Sequence, residues 1–113
     1  MKSVRLLIVF LVAVAAWVVP GWASDRVALV IGNNDYESAE RLYSPVNDAN
    51  DMAATLRELG FDVIERTNLT RQAMDQVIEE FKLAIQPGGV GLFYFSGHGV
   101  QLEGANYLIP VDA

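Results

Sequence analysis

"RVALVIG", Arg26 to Gly32, is a continuous apolar run dominated by valine and isoleucine. Such a run suits a strand buried on both faces, as in the middle of a parallel sheet. "NNDY" follows as a turn. From Pro45 to Gly60, residues Val46, Ala49, Met52, Ala53, Leu56 and Leu59 recur at steps of three and four. This spacing predicts an amphipathic helix with Asn47 or Asp48 as its N-cap and Gly60 just past its end. "FDVIE" predicts a second strand. Thr70 can cap a second helix whose apolar face is Met74, Val77, Ile78, Phe81 and Ile85, ended by "QPGG". "VGLFYF" predicts a third buried strand, and "GVQLEGANYLIPVD" a hairpin turning at Glu103-Gly104. Strands alternating with helices call for a parallel α/β sheet with right-handed crossovers. With the first strand in the middle, the order is 2-1-3, as in flavodoxin-like sheets. Ligands then bind past the carboxyl ends of strands one and three.

The start of the chain reads differently. Residues 1–24 carry Lys2 and Arg5, then fourteen apolar residues from Leu6 to Val19, then Pro20 and Gly21. Gly21 and Ala23 have the small-residue spacing of a signal-peptidase site, and the run is short of the roughly 20 residues a bilayer span needs. A cleaved export signal is predicted, hence a periplasmic or secreted protein with no stable membrane anchor afterwards. Without Lys2 and Arg5 the remainder has six basic against fourteen acidic residues, net −8. That balance argues against nucleic acid and against an anionic membrane as partners. The chain has no cysteine, which excludes disulfides and thiolate metal sites within it. Residues 25–113 read as one domain, or part of one, without repeats or low-complexity linkers.

The crevice rule can be tested on polar residues. Asn34 and Asp35 follow strand one, Asn47 and Asp48 open the helix after it, and Ser96, Gly97, His98 and Gly99 follow strand three. Both clusters fall where a site belongs. His98, the single histidine, suits proton exchange near neutrality, and the flanking glycines permit a sharp turn and close approach of substrate. Their amides can donate to a developing oxyanion. Each residue also has a plainer reading: His98 as a hydrogen-bonded strand-end histidine, Asp48 as an N-cap carboxylate, Ser96 as a strand-end hydroxyl. No Gly-x-Ser-x-Gly elbow surrounds Ser96, "GNND" is not a phosphate loop, and one histidine with scattered carboxylates does not make a metal site. "NLT" at Asn68 is a glycosylation triplet only in a eukaryotic source.

"RVALVIGNNDY", "PVNDANDMAATLRELGFDV", "LFYFSGHG" and "NYLIPVDA" together resemble the large-subunit (p20) region of caspase-like cysteine peptidases of the peptidase C14 group, especially bacterial metacaspase-type proteins. The likeness runs from Arg26 to Ala113. It implies a caspase-like, flavodoxin-like three-layer α/β sandwich with a mainly parallel sheet, incomplete at its C-terminal side. It also implies a Cys-His endopeptidase acting on peptide or protein substrates. His98 matches the catalytic histidine, and the Gly99 amide matches part of the oxyanion hole. Asp48, with Ser96 beside it, matches the pocket that receives the residue before the scissile bond. An aspartate there favours arginine or lysine. Caspases proper have an arginine six residues before the matching aspartate, where this chain has Leu42, with Arg41 one step out of register. Many metacaspases have cysteine where this chain has Pro45.

The family's nucleophile lies about 50 residues after its histidine, hence in a C-terminal segment beyond Ala113. Without that thiolate, His98 has nothing to activate, and the 113 residues alone are expected to be inactive. No cofactor is expected within the chain, although the resemblance implies calcium as a possible ligand of the full-length parent. Two other readings stand beside the peptidase: a non-catalytic caspase-like binding or scaffolding module, and an unrelated flavodoxin-like binding domain. A sheet edge left uncovered beside the third strand would make the chain sticky.

Overall fold

A computed structural model describes the backbone of residues 5–7 and 13–18 and the whole of residues 26–113. In chain order the elements are β1 (Arg5–Leu7), β2 (Ala13–Val18), β3 (Arg26–Gly32), α1 (Pro45–Glu58), β4 (Asp62–Thr67), α2 (Arg71–Ala84), β5 (Val90–Ser96), β6 (Gly99–Leu102) and β7 (Ala105–Leu108). β3 pairs in parallel with β4 on one side and β5 on the other, so the expected 2-1-3 arrangement is present as β4-β3-β5.

The edge of β5 is not open. β2 pairs with it antiparallel, from Ala13 opposite Phe95 to Val18 opposite Val90, giving the sheet order β2-β5-β3-β4. An unpaired strand edge is a row of free donors and acceptors, and any extended segment within reach can take it. β1 likewise joins the β6-β7 hairpin, with Leu7 opposite Gly99. The expected signal-peptidase site at Gly21–Ala23 lies outside the described residues.

Three layers follow from the two-residue period of β3. Val27, Leu29 and Ile31 face α2, where they meet Met74, Val77 and Phe81 together with Phe95 of β5. Ala28 and Val30 face the other way, onto Ala49, Ala53 and Leu56 of α1 and Tyr94 of β5. Because both faces are covered, every residue of β3 after Arg26 is buried. Side chains such as Leu29, Ile31 and Phe95 each contribute roughly 1.5–3 kcal/mol by leaving water. α1 sits close because it presents alanine to glycine: a Cβ at Gly32 would lie 2.5 Å from the Pro45 carbonyl oxygen and 2.8 Å from the Ala49 Cβ.

α1 starts differently from the sequence expectation. Its N-cap is Ser44, not Asn47 or Asp48, which lie inside the helix. Pro45 at the first helical position sets the start, since its fixed φ suits a helix and its missing N–H loses no bond there. Ser44 itself is helical and its side chain makes no capping bond; Asn34, at the start of the same loop, supplies one, its Oδ1 accepting from Val46 N at 3.0 Å. α2 starts as expected, with Thr70 Oγ1 accepting from Ala73 N at 3.2 Å. The β6-β7 hairpin turns at Glu103 and Gly104, both with positive φ (49° and 82°), the pattern of a type I′ turn.

Candidate active site

The two loops at the carboxyl ends of β3 and β5 are bound together by buried amides. Asn33 is fully buried: its N–H donates to Ser96 O at 2.9 Å, its Oδ1 accepts from Leu69 N at 3.0 Å, and its Nδ2 donates to Ile109 O at 3.4 Å. Asn68 adopts a left-handed conformation (φ 53°), and its Oδ1 accepts from the amides of both Asn34 and Asp35. The carboxamide of the "NLT" triplet is therefore engaged in the fold. The closing "PVDA" ties in the far end. Val111 N donates to Leu69 O at 2.9 Å, Val111 O accepts from Glu37 N at 2.8 Å, and Asp112 Oδ1 accepts from Arg71 N at the start of α2. Polar residues that resemble a ligand cluster in sequence are largely the joints of this loop frame.

His98 sits inside the frame, 1% exposed. Its Nε2 lies 2.6 Å from the backbone carbonyl oxygen of Glu40. A carbonyl only accepts, so Nε2 carries the proton, and whenever the ring is neutral its lone pair is on Nδ1. Nδ1 is buried and has no hydrogen-bond partner among the described residues. That is the geometry of a base held in one tautomer with its basic nitrogen free. Sequence reasoning did not find the Glu40 carbonyl, because a backbone acceptor in a loop has no side-chain signature.

Tyr36 was missed as well. Its hydroxyl accepts from the His98 amide at 2.8 Å and donates to Ile109 O at 3.1 Å, and its ring meets the imidazole edge-on with centroids 4.4 Å apart. Burial pushes the Tyr36 hydroxyl above the ordinary tyrosine range, offset in part by the bond from the His98 amide. Tyr36 lies in a small cluster with Leu42 and Val111, so Leu42 is a core residue. Arg41 points outward, ion-paired with exposed Asp35 at 3.0 Å and set over the Tyr43 ring.

Asp48 and Ser96 lie on the α1 side of the sheet. Ser96 is fully buried, and its hydroxyl faces that of Tyr94 without a well-formed hydrogen bond. Asp48, in the first turn of α1, is half-buried. Tyr94 stands two residues before Ser96 on the same face of β5. Its hydroxyl is raised above the usual value by burial and, behind that, by the negative charge of Asp48. Gly99 is buried at the head of β6, in register with Leu108. Asn47 and Asp35 are exposed and join neither group. A groove between the hairpin and the start of α2, lined by Arg71, Tyr107, Leu108 and Pro110, includes none of the site residues.

Four blocks of sequence, the three-layer sheet and a tautomer-fixed histidine past β5 converge with the comparison to known families, in which the caspase domain matches residues 25–113. The chain belongs to the caspase-domain peptidase family. It is similar to the human mucosa-associated lymphoid tissue lymphoma translocation protein 1, at 38% identity over 91 residues. The mouse homologue of that protein matches at the same identity over the same length. In both cases 80% of this chain is covered but only 11% of the relative, so the chain spans about a ninth of the length of these relatives. Among the described residues no three His, Asp or Glu side chains converge to hold a metal. No helix among them is long and apolar enough to cross a membrane.

Proposed function

We propose that this chain supplies the histidine half of a Cys-His endopeptidase of metacaspase type, which cleaves peptide or protein substrates after arginine or lysine. The observation that carries the reading is the pairing of His98 Nε2 with the Glu40 carbonyl, which leaves Nδ1 free. In the first step Nδ1 takes the proton of the cysteine thiol, and the thiolate attacks the scissile carbonyl. The resulting imidazolium keeps its Nε2–H on Glu40 O, an acceptor suited to the positive ring. The negative oxygen of the tetrahedral intermediate is met by the amide of Gly99. Nδ1–H then protonates the departing amine as the C–N bond breaks, leaving an acyl-enzyme. Water, deprotonated at the same nitrogen, releases the acid and restores the thiol.

Preference for a basic residue rests on Asp48 and Ser96 at the pocket and on Leu42, which is packed in the core where caspases proper need an arginine. The 113 residues contain no cysteine, so on this reading they have no peptidase activity by themselves and act with a C-terminal segment. Export through cleavage within residues 1–24 belongs to the same proposal, and it removes β1 and β2, which leaves the β5 edge open. A second reading, a non-catalytic caspase-like scaffold, is favoured by the burial of His98 and of its Nδ1.

The test is to express the complete reading frame of the source and assay fluorogenic peptides ending in arginine, lysine or aspartate. Cleavage after the basic residues, lost in His98→Ala, supports the peptidase. Cleavage only after aspartate overturns the specificity, and no cleavage of any peptide favours the scaffold.

A further inference from the structure

Tyr36 joins His98 to the returning hairpin. The His98 N–H donates to the Tyr36 hydroxyl, and that hydroxyl donates in turn to the Ile109 carbonyl. The His98 carbonyl accepts from Ile109 N at 3.1 Å, so both backbone groups of His98 are held, one directly and one through the phenol. Asn33 donates to the same Ile109 oxygen, which fixes where that acceptor lies. The Tyr36 ring packs at 62° to the imidazole. Between the two, Gly97 has no room for a side chain: a Cβ there would stand 2.5 Å from the Tyr36 hydroxyl and 2.8 Å from the Phe95 ring.

We propose that Tyr36 is a positioning residue for His98, its hydroxyl fixing the histidine backbone and its ring edge fixing the imidazole plane, so that Nε2 stays on the Glu40 carbonyl. The inference rests on His98 being the acid–base residue proposed above. The Glu40 bond by itself leaves the ring free to tilt about χ1 and χ2; a wall on the ring and a clamp on the backbone remove that freedom. Tyr36 acts through His98 and touches no substrate.

The single histidine permits a direct test by nitrogen-15 NMR on the 113-residue chain. In the wild type, the imidazole is expected in the Nε2-protonated form, with a slowly exchanging Tyr36 hydroxyl proton close to the His98 amide. In Tyr36→Phe, the His98 amide should exchange about tenfold faster, the size of one lost hydrogen bond, and the imidazole nitrogens should move toward a mixture of tautomers. The Leu29 amide in the sheet centre should keep its protection, which separates this effect from general loosening. Gly97→Ala, which retains the hydroxyl but displaces it, should give the same imidazole signature. In the complete protein, Tyr36→Phe should lower kcat with KM unchanged.

An unchanged imidazole signature in a folded Tyr36→Phe or Gly97→Ala variant overturns the inference, whatever the peptidase result. Should neither variant fold, a wild-type spectrum without the protected hydroxyl beside the His98 amide overturns it. Failure of the peptidase reading shows instead as absence of cleavage by the complete wild-type protein, with the imidazole signature intact.

Discussion

The Nε2 of His98 and the carbonyl oxygen of Glu40 are 2.6 Å apart, although 58 positions separate them in the chain. The contact uses the backbone of Glu40, whose own side chain is exposed. Glu40→Ala is therefore expected to leave the imidazole tautomer unchanged and to alter stability by no more than about 0.5 kcal/mol, the range for a surface substitution. Deletion of Glu40 moves another carbonyl into its place at the wrong angle. The deletion variant should lose the Nε2-protonated signature in the same NMR experiment. If Glu40→Ala also lost it, the side chain and not the carbonyl would be holding the ring.

Leu42 decides between two ways of reading the loop. It packs with Tyr36 and Val111, while Arg41 next to it is solvent-facing and pairs with Asp35. Leu42→Ala should cost roughly 2–4 kcal/mol in a urea titration, as for truncation of a buried leucine. Leu42→Arg, which would recreate the caspase pattern, should be at least as damaging, because it places a charge without a partner beside Tyr36. A folded Leu42→Arg protein of wild-type stability would show that the position opens to the pocket.

The close seat of α1 depends on Gly32. A methyl group there meets the Pro45 carbonyl and the Ala49 Cβ, both on or bound to helix backbone that cannot swing aside. Gly32→Ala is expected to push the start of α1 outward at a cost of about 1–3 kcal/mol. Asp48 moves with that turn. In the complete protein, the substitution should thus raise KM for arginine peptides more than it lowers kcat, whereas a change at His98 itself acts on kcat.

The main strands and helices were legible because their periods are strong. "RVALVIG" has no polar face, and β3 is covered on both sides; the steps of three and four in the helices correspond to the faces that meet β3. The N-cap of α1 was not legible, since its capping oxygen comes from Asn34, twelve residues upstream of Val46. The strand on the β5 edge was hidden for a related reason: the apolar run at the start of the chain has the composition of an export signal, and nothing local marks part of it as a strand partner. At the site, His98 and Ser96 stood out by residue type and place. The Glu40 carbonyl and the Tyr36 hydroxyl did not, because their roles exist only once the loops are brought together.

Two buried phenols set how the fold responds to alkali. Tyr36 and Tyr94 both hold their protons above the ordinary tyrosine value, chiefly through burial, with the charge of Asp48 adding to the rise at Tyr94. In the unfolded chain both hydroxyls ionise near pH 10, as free tyrosine does, at about the value set by the phenol itself. Above that pH the unfolded state binds fewer protons than the native state, so stability falls as pH rises toward the folded values; below it, the two phenols contribute a constant amount. Urea titrations from about pH 8 to pH 11 should therefore show a flat region followed by a decline. Tyr94→Phe should make the decline shallower by removing one of the two phenols. Asp48→Asn should do so to a smaller degree, because burial remains when the charge is gone. A decline as steep in both variants as in the wild type would mean that the Tyr94 hydroxyl ionises alike in the folded and unfolded chain, and that Asp48 does not face Tyr94 across the start of α1.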